Sequence, residues 1–292
     1  MSAPTLVRRA ARSGPVSCGH DSLPELLTIW ADRLHFHDVY SISGAAVYHR
    51  LTLSDTSEIR EILGSIHGLT GDVVELAAGS GRLTLPMLAA GRMVTAIDNS
   101  PTMISMLRDR ISMLPGSARA RARTEIGDMT AFRLDRPAIV AVLGTTSITL
   151  LDDAGRRRLY GCINANLIPG GHLLVSAPAR QWADGATEIR CTDDVFGSLL
   201  IHHRVDAGER KVTIVRLPST TTGPVDVYTS RVRLLPADQV AEELRLAGFE
   251  INRRIPVSTS DTAHPVQLID AQVAGPIRSS SAPALRRKEV VR

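Results

Sequence analysis

The chain has 292 residues, of which 43% are hydrophobic, and this is enough for one large α/β domain with an insertion. Its net charge of +4 comes from residues 1–12 and 277–292, and only 3% of the residues are aromatic, so we expect no nucleic-acid partner. The sequence has no apolar run long enough for a bilayer and no secretory signal, so we expect a cytoplasmic protein without membrane contact. Its cysteines show no pattern typical of disulfides or metal sites.

The two ends of the chain are expected to differ from its middle. We interpret residues 1–30 as a flexible or partly helical extension and residues 276–292 as a disordered basic tail. The segment after the extension is rich in aromatic and histidine side chains, among them Tyr40, Tyr48 and His49. Two interpretations are open: these rings pack a helix against a sheet edge, or they cover a bound ligand.

A turn of small residues follows the first predicted strand. Residues 73–76 are apolar apart from Glu75, which is typical of a buried strand, and Gly79 and Gly81 then permit positive φ angles or a ligand against the backbone. Thr84 is expected to cap the helix that follows. Free amide groups at the start of such a helix attract a carboxylate or phosphate, although a glycine-rich turn is also a common structural connection.

The second predicted strand, residues 92–97, leads directly into Asp98. A carboxylate at this position accepts hydrogen bonds from ribose hydroxyl groups in nucleotide-binding α/β folds. The same residue, with Asn99 and Ser100, can instead cap the next helix, whose inward face begins at Met103. Both roles are compatible, because the cap needs only one polar side chain.

The third and fourth predicted strands also end in small or polar residues. After the third strand, Asp128 can accept from an adenine amino group while Met129 packs against the ring, or the two residues form an ordinary turn. After the fourth strand, residues 138–143, the chain continues with Gly144 and Thr145. Strands that alternate with helical segments in this way indicate a parallel sheet.

The last third of the chain predicts two further groups of strands. Residues 249–257 and 265–273 are extended runs that match an antiparallel hairpin. Residues 178–233 contain extended runs and polar turns, and we expect them to form a small antiparallel sheet that covers the mouth of a pocket or mediates formation of a homodimer. Glu188 and His202 lie in this insertion.

The order of these motifs resembles the class I S-adenosylmethionine-dependent methyltransferases from residue 73 to about residue 273. The segment from Glu75 to Arg82 is similar to their motif I, a carboxylate followed by a G-x-G-x-G turn, with Ala77 in place of the first glycine. A dinucleotide fingerprint needs a third glycine where Thr84 stands, and this argues against a nicotinamide cofactor. The resemblance implies an α/β fold with a seven-stranded, mostly parallel, doubly wound sheet and a closing antiparallel hairpin.

The resemblance also implies S-adenosylmethionine as cofactor and S-adenosylhomocysteine as product, in a methyltransferase domain at residues 31–275. In many family members a tyrosine-bearing segment covers the methionine end of the cofactor, which implies a lid at residues 31–70. The implied cofactor-binding residues are Glu75, Ala77, Gly79, Gly81, Arg82, Asp98, Asn99, Met103, Asp128, Met129, Gly144 and Thr145. The candidates for holding or removing a proton of the methyl acceptor are Tyr40, Tyr48, His49, Glu188 and His202.

The implied activity is methyl transfer to a small molecule or peptide, and an amine nitrogen is the favoured acceptor. The chain is most similar to bacterial methyltransferases that tailor such compounds, including the N-methyltransferases of ribosomal peptide pathways such as the daptides. The alternatives are O-methylation of a small metabolite, a non-catalytic scaffold that binds S-adenosylmethionine, and an NAD-dependent oxidoreductase.

Overall fold

The computed structural model describes residues 22–220, 222–258 and 263–274. The predicted tail, Cys18 and most of the predicted amino-terminal extension lie outside these residues. The chain divides into two compact units, and each is described by itself. The smaller unit comprises Met1–Asp55, Gln181–Leu235 and Asp261–His264, and the larger unit comprises Thr56–Arg180, Pro236–Ser260 and Pro265–Arg292.

The helices and strands of the described residues are numbered in chain order. The helices are α1 (Leu23–Ile29), α2 (Ile42–Thr52), α3 (Ile59–Ile66), α4 (Thr84–Ala89), α5 (Pro101–Ser112), α6 (Gly116–Arg119), α7 (Asp153–Asn166) and α8 (Ala237–Leu246). The strands are β1 (Leu34–Asp38), β2 (Val73–Leu76), β3 (Val94–Asp98), β4 (Ala122–Ile126), β5 (Ala138–Leu143), β6 (Leu167–Pro178), β7 (Gly185–Asp193), β8 (Gly197–Asp206), β9 (Glu209–Arg216), β10 (Val225–Arg233), β11 (Phe249–Pro256) and β12 (Val266–Val273). No helix among these residues is long and apolar enough to span a membrane.

The larger unit is built on a seven-stranded sheet in the order β11-β12-β6-β5-β2-β3-β4. The five strands from β6 to β4 pair in parallel, whereas β12 and β11 are antiparallel to their neighbours. Every residue of β2 is buried, as expected for a central parallel strand that is covered on both faces. This confirms the predicted fold class, including the closing hairpin.

The strand order places a topological switch point beside β2. The chain runs outward from β2 through β3 to β4, and β5 then pairs with the opposite side of β2. In open α/β sheets, ligands bind in the crevice outside the carboxyl ends of the strands at such a point. The loops that follow β2 and β5 are therefore the expected location of the site.

The smaller unit contains a five-stranded sheet in the order β1-β10-β9-β8-β7. All its pairs are antiparallel except β1 with β10, so the sheet is mixed rather than purely antiparallel. Four of the five strands, β7 to β10, lie in residues 178–233, where the sequence predicts a small antiparallel sheet, and β1 joins them from outside this range. Most of β7 is exposed and lacks apolar alternation, and His202 lies within β8.

The two faces of this sheet are covered by different helices. On one face, Leu23 and Leu26 of α1 pack with Leu200 of β8. On the other face, Val47 of α2 packs with Leu199, the preceding residue of the same strand. Because neighbouring residues of a strand point to opposite faces, the sheet has an α1 face and an α2 face.

Gly44 and Gly64 provide a matched pair of helix substitutions with opposite expected effects. A Cβ on Gly44 of α2 would lie 2.3 Å from the backbone oxygen of Asp38, whereas a Cβ on Gly64 of α3 would meet no atom within 4 Å. We expect Gly44→Ala to lower the free energy of unfolding by about 1–3 kcal/mol and Gly64→Ala to raise it by about 0.5–1 kcal/mol. Urea denaturation of both variants measures this difference, and a loss of stability in Gly64→Ala would contradict it.

Candidate active site

The turn after β2 contains three residues in the left-handed conformation. Ala77 has a φ of 51°, Gly79 a φ of 55° and Gly81 a φ of 90°. A Cβ on Gly79 would meet no atom within 4 Å, whereas a Cβ on Gly81 would lie 2.3 Å from Cδ1 of Leu107. The backbone is therefore open to a ligand at Gly79 and packed against α5 at Gly81. Ala77 shows that the first motif position adopts the backbone conformation that glycine favours, in spite of its methyl group.

Glu75 lies inside the sheet, with 2% of its surface exposed. Burial raises the pKa of its carboxyl group to about 8, although a hydrogen bond from the Thr84 hydroxyl and the charge of Arg82 act in the opposite direction. Thr84 does not cap α4, contrary to the prediction: it is the first residue of the helix, and its hydroxyl group donates to Glu75 instead. The buried carboxyl group takes this donor because a partner is required away from water.

Asp98 ends β3 and joins the glycine-rich turn to the start of α5. Its two carboxylate oxygens accept hydrogen bonds from the backbone N–H groups of Gly79 and Ser100, each at 2.8 Å. Ser100, rather than Asp98, caps α5 by accepting from the N–H of Met103. Asn99 is exposed and Met103 is buried. Because a carboxylate has about four lone-pair sites, Asp98 retains acceptor capacity for hydroxyl groups.

Asp128 and Met129 follow β4 in a tight turn. The Asp128 carboxylate accepts from the backbone N–H of Thr130 at 2.8 Å, and its carbonyl oxygen accepts from the N–H of Ala131 at 3.0 Å. Asp128 is exposed and Met129 is half-buried. The turn interpretation therefore describes the local structure, and the exposed carboxylate still has acceptor sites.

Arg82 and Thr145 contact each other directly and also share Glu58 as a hydrogen-bond partner. The Arg82 guanidinium donates to the Glu58 carboxylate at 2.9 Å, to the Thr145 hydroxyl at 2.6 Å and to the carbonyl oxygen of Ser57. The Thr145 N–H donates to the same Glu58 carboxylate at 2.8 Å. A Cβ on Gly144 would lie 2.8 Å from a Glu58 oxygen, so glycine lets the carboxylate approach. These residues join the turn after β2 to the loop after β5.

Three of the candidate acceptor residues lie on or just before α2 in the smaller unit. The ring centroids of Tyr40 and Tyr48 are 5.8 Å apart. Tyr48 packs against the cluster of Val47 and Leu199, and Tyr40 is 41% exposed. His49 is half-buried on the same helix. Tyr48 thus packs α2 against a face of this sheet.

Glu188 and His202 are directly opposite each other in β7 and β8. Glu188 is exposed, and its carboxylate accepts a hydrogen bond from the backbone N–H of Leu23 at 3.0 Å. Burial lowers the pKa of His202, while the charge of Glu188 raises it. His202 lies two residues after Leu200, so this pair occupies the α1 face.

The five candidate acceptor residues therefore do not form one group. Tyr40, Tyr48 and His49 belong to α2 or the turn before it, whereas Glu188 and His202 lie on the face of the sheet that α1 covers. The cofactor candidates all belong to the larger unit.

The family of this chain follows from its similarity to known proteins. A family profile described as a methyltransferase domain matches residues 73–171. The glycopeptide N-methyltransferase MtfA in complex with sinefungin is 34% identical, the alignment covers 90% of this chain and 100% of that chain, and the TM-score is 0.62. The chain belongs to the class I S-adenosylmethionine-dependent methyltransferases. MtfA is also known in complexes with S-adenosylmethionine and S-adenosylhomocysteine, the cofactor and product predicted for this methyltransferase.

Two further solved structures share the fold of this methyltransferase at lower identity. The CcbJ methyltransferase from Streptomyces caelestis is 18% identical over 82% of this chain and 99% of that chain, with a TM-score of 0.66. CalS10, an amino pentose methyltransferase from Micromonospora echinaspora, is 18% identical over 82% of this chain and 100% of that chain, with a TM-score of 0.60. A search of curated proteins found no match.

The residues at the switch point of the methyltransferase fit its cofactor. The open backbone at Gly79 leaves room for a ligand, and the spare lone pairs of Asp98 match the hydroxyl groups of a ribose. Asp128 provides a further exposed acceptor two strands away from the turn. The larger unit therefore combines an open backbone at the turn after β2 with carboxylate acceptors after β3 and β4.

Two groups of residues in this methyltransferase have no signal in the sequence. Glu58 directly precedes α3, where an acidic residue normally indicates nothing more than a helix start. His37 and Asp226 come from β1 and β10, and their side chains lie 3.0 Å apart, with the His37 ring stacked on Tyr228. Only the pairing of β1 with β10 brings these residues together, so no local sequence signal indicates them.

Proposed function

We propose that this methyltransferase modifies an amine nitrogen of a natural product, either a small molecule or a peptide. The observation that carries the proposal is the alignment with all of MtfA, a glycopeptide N-methyltransferase. The match includes 90% of this chain and therefore extends well beyond residues 73–171, the part common to methyltransferase domains in general. A peptide amine of the daptide type is one acceptor within this class.

The chemistry requires a neutral amine. When bound, S-adenosylmethionine supplies a methyl group on a positively charged sulfur; the nitrogen lone pair forms the new C–N bond, and the electrons of the C–S bond remain with S-adenosylhomocysteine. An ammonium group has no lone pair, so a group of the protein or solvent must accept its proton before transfer. The remaining task of the protein is to align the acceptor and exclude water.

We propose that groups on the α2 face of the smaller unit handle the acceptor proton. This face contains Tyr48 and the pair formed by His37 and Asp226. A carboxylate that binds one ring nitrogen of a histidine orients the ring and leaves the other nitrogen to exchange a proton. Glu188 and His202, on the α1 face, are the competing assignment.

Mass spectrometry of matched acceptors tests the proposed function. A peptide with a free terminal amine and the same peptide with an acetylated terminus, both containing serine and tyrosine, are incubated with the enzyme and S-adenosylmethionine. We expect one or two added methyl groups on the free amine only. Methylation of the acetylated peptide at a hydroxyl group would favour O-methylation. Binding of S-adenosylhomocysteine without methylation of peptides, amino sugars or small phenols would favour a scaffold.

His37→Gln tests the assignment of the acceptor proton. We expect kcat to fall by about a hundredfold, because a positioned base contributes at least this factor. His35→Gln is the matched control, since His35 lies two residues earlier on the same strand. If His37→Gln keeps the wild-type kcat while Glu188→Gln or His202→Gln loses activity, the acceptor is handled on the α1 face.

A further inference from the structure

The residues around Glu58 connect the two loops of the switch point. We infer that Glu58 is a positioning residue of the cofactor site, and that it acts by joining Arg82 of the glycine-rich turn to Thr145 of the loop after β5. These three residues are called the clasp below. Arg82 and Thr145 belong to the loops that follow β2 and β5, the two strands that flank the crevice, and Glu58 directly precedes α3. This role does not depend on which acceptor is methylated.

The ion pair of the clasp is shielded from solvent, whereas Thr145 is exposed, and all the contacts are close. The side chains of Glu58 and Arg82 are 4% and 13% exposed, and their charged atoms lie 2.9 Å apart. Both Glu58 oxygens also accept from the Thr145 N–H, at 2.8 and 3.1 Å. A buried ion pair that loses one partner leaves an uncompensated charge, so the three groups hold one another in place.

The loop after β5 has a backbone that needs such support. Thr145 and Thr146 have φ angles of 57° and 55°, a region that β-branched residues rarely adopt. The Thr145 N–H is held by Glu58, and the Thr146 N–H donates to the Ser176 hydroxyl at 2.9 Å. Glu58 itself has a φ of 69°. Non-glycine residues in this region persist when the surrounding structure holds them, and they cluster at functional sites.

The contacts of the clasp also determine which group balances the positive charge of Arg82. Its guanidinium donates to Glu58, Thr145 and the carbonyl oxygen of Ser57, so its charge is balanced by a carboxylate of the protein. A cation that pairs with the carboxylate of the cofactor would instead face the ligand. Arg82 therefore supports the shape of the crevice rather than the charge of one end of the ligand.

Calorimetric titration of apo protein separates the two roles. The probes are S-adenosylhomocysteine and 5′-methylthioadenosine, which lacks the amino-acid end. We expect Glu58→Gln and Arg82→Lys each to weaken both ligands by about two- to thirtyfold, and the double variant to be no weaker than the weaker single variant. The matched control is Glu61→Gln in the first turn of α3, where a buried carboxylate pairs with Arg60 at 2.8 Å. We expect the affinities of this variant to stay at the wild-type level.

Other outcomes overturn the inference. If Arg82 paired with the ligand carboxylate, Glu58→Gln would leave the affinity for S-adenosylhomocysteine unchanged or raise it, and Arg82→Lys would weaken that ligand only. An equal loss of affinity in Glu61→Gln would indicate a general effect of destabilising α3. If Glu58→Gln does not fold, Thr145→Ala removes the exposed hydroxyl that accepts from Arg82, and the inference requires weaker binding that Thr145→Ser restores.

Discussion

Glu75→Gln is expected to be more stable than the wild-type protein in alkaline solution and no more stable in mildly acidic solution. In the folded protein, burial raises the pKa of Glu75 to about 8, whereas in the unfolded chain the carboxyl group ionises near its ordinary value of 4.5. Between these values the unfolded chain releases a proton that the folded protein keeps, so rising pH favours unfolding. The resulting loss in the wild-type protein is up to about 5 kcal/mol, and the variant does not undergo it.

The measurement is the difference in free energy of unfolding between the two proteins, from urea denaturation of apo protein between about pH 5 and about pH 8. Other titrating groups are common to both proteins and largely cancel, although Arg82, Asp98 and Glu58 act on Glu75 directly. Glu61→Gln is the control. Burial alone would raise the pKa of Glu61, but its hydrogen bonds from the backbone and Arg60 lower it overall, so the stability that this carboxylate contributes is lost only as the pH falls below 4.5. Between about pH 5 and about pH 8 the difference between Glu61→Gln and the wild-type protein should therefore stay constant. A pH-independent difference for Glu75→Gln would contradict the prediction.

The larger unit, which contains all the cofactor candidates, could be predicted because each of its strands and the turn that follows it are contiguous in the sequence. The strand predicted at residues 138–143 coincides with β5, and the turn after Glu75 has the left-handed residues that its glycines indicate. Each parallel strand is a short apolar run that ends at the ligand edge of the sheet, so strand ends and polar residues are found together. The order of these motifs along the chain therefore predicts a mostly parallel sheet.

The rest of the site depends on contacts between distant residues. Glu58 reaches Arg82 across 24 positions and Thr145 across 87 positions. No hydrophobic period or turn signal indicates a left-handed glutamate before α3. In the smaller unit, the two sets of acceptor candidates are separated by the register of β7 with β8 and by the helix that covers each face. A shift of one residue in that register would reverse the assignment of faces.

Asp98→Ala is expected to weaken the binding of S-adenosylhomocysteine by about 3–4 kcal/mol, the scale of losing two charge-assisted hydrogen bonds. Asp98 is 9% exposed and holds the N–H groups of Gly79 and Ser100 at 2.8 Å. Its removal frees the turn at Gly79 and also removes the acceptor proposed for the ribose. Isothermal titration of apo protein measures the affinity, and thermal unfolding measures the accompanying loss of stability.

Asp152→Ala is the matched control. Like Asp98, Asp152 accepts a hydrogen bond from a backbone N–H group, that of Gly155 at 2.7 Å, but its role is to cap α7. We expect Asp152→Ala to lower the free energy of unfolding by about 1 kcal/mol without a change in affinity.

A pair of nucleosides separates the two roles of Asp98, because 2′-deoxyadenosine lacks one ribose hydroxyl that adenosine has. If Asp98 binds the ribose, the preference for adenosine disappears in Asp98→Ala; if Asp98 only holds the turn, both nucleosides weaken equally and the preference remains. Wild-type affinity for all three ligands would exclude Asp98 from the site.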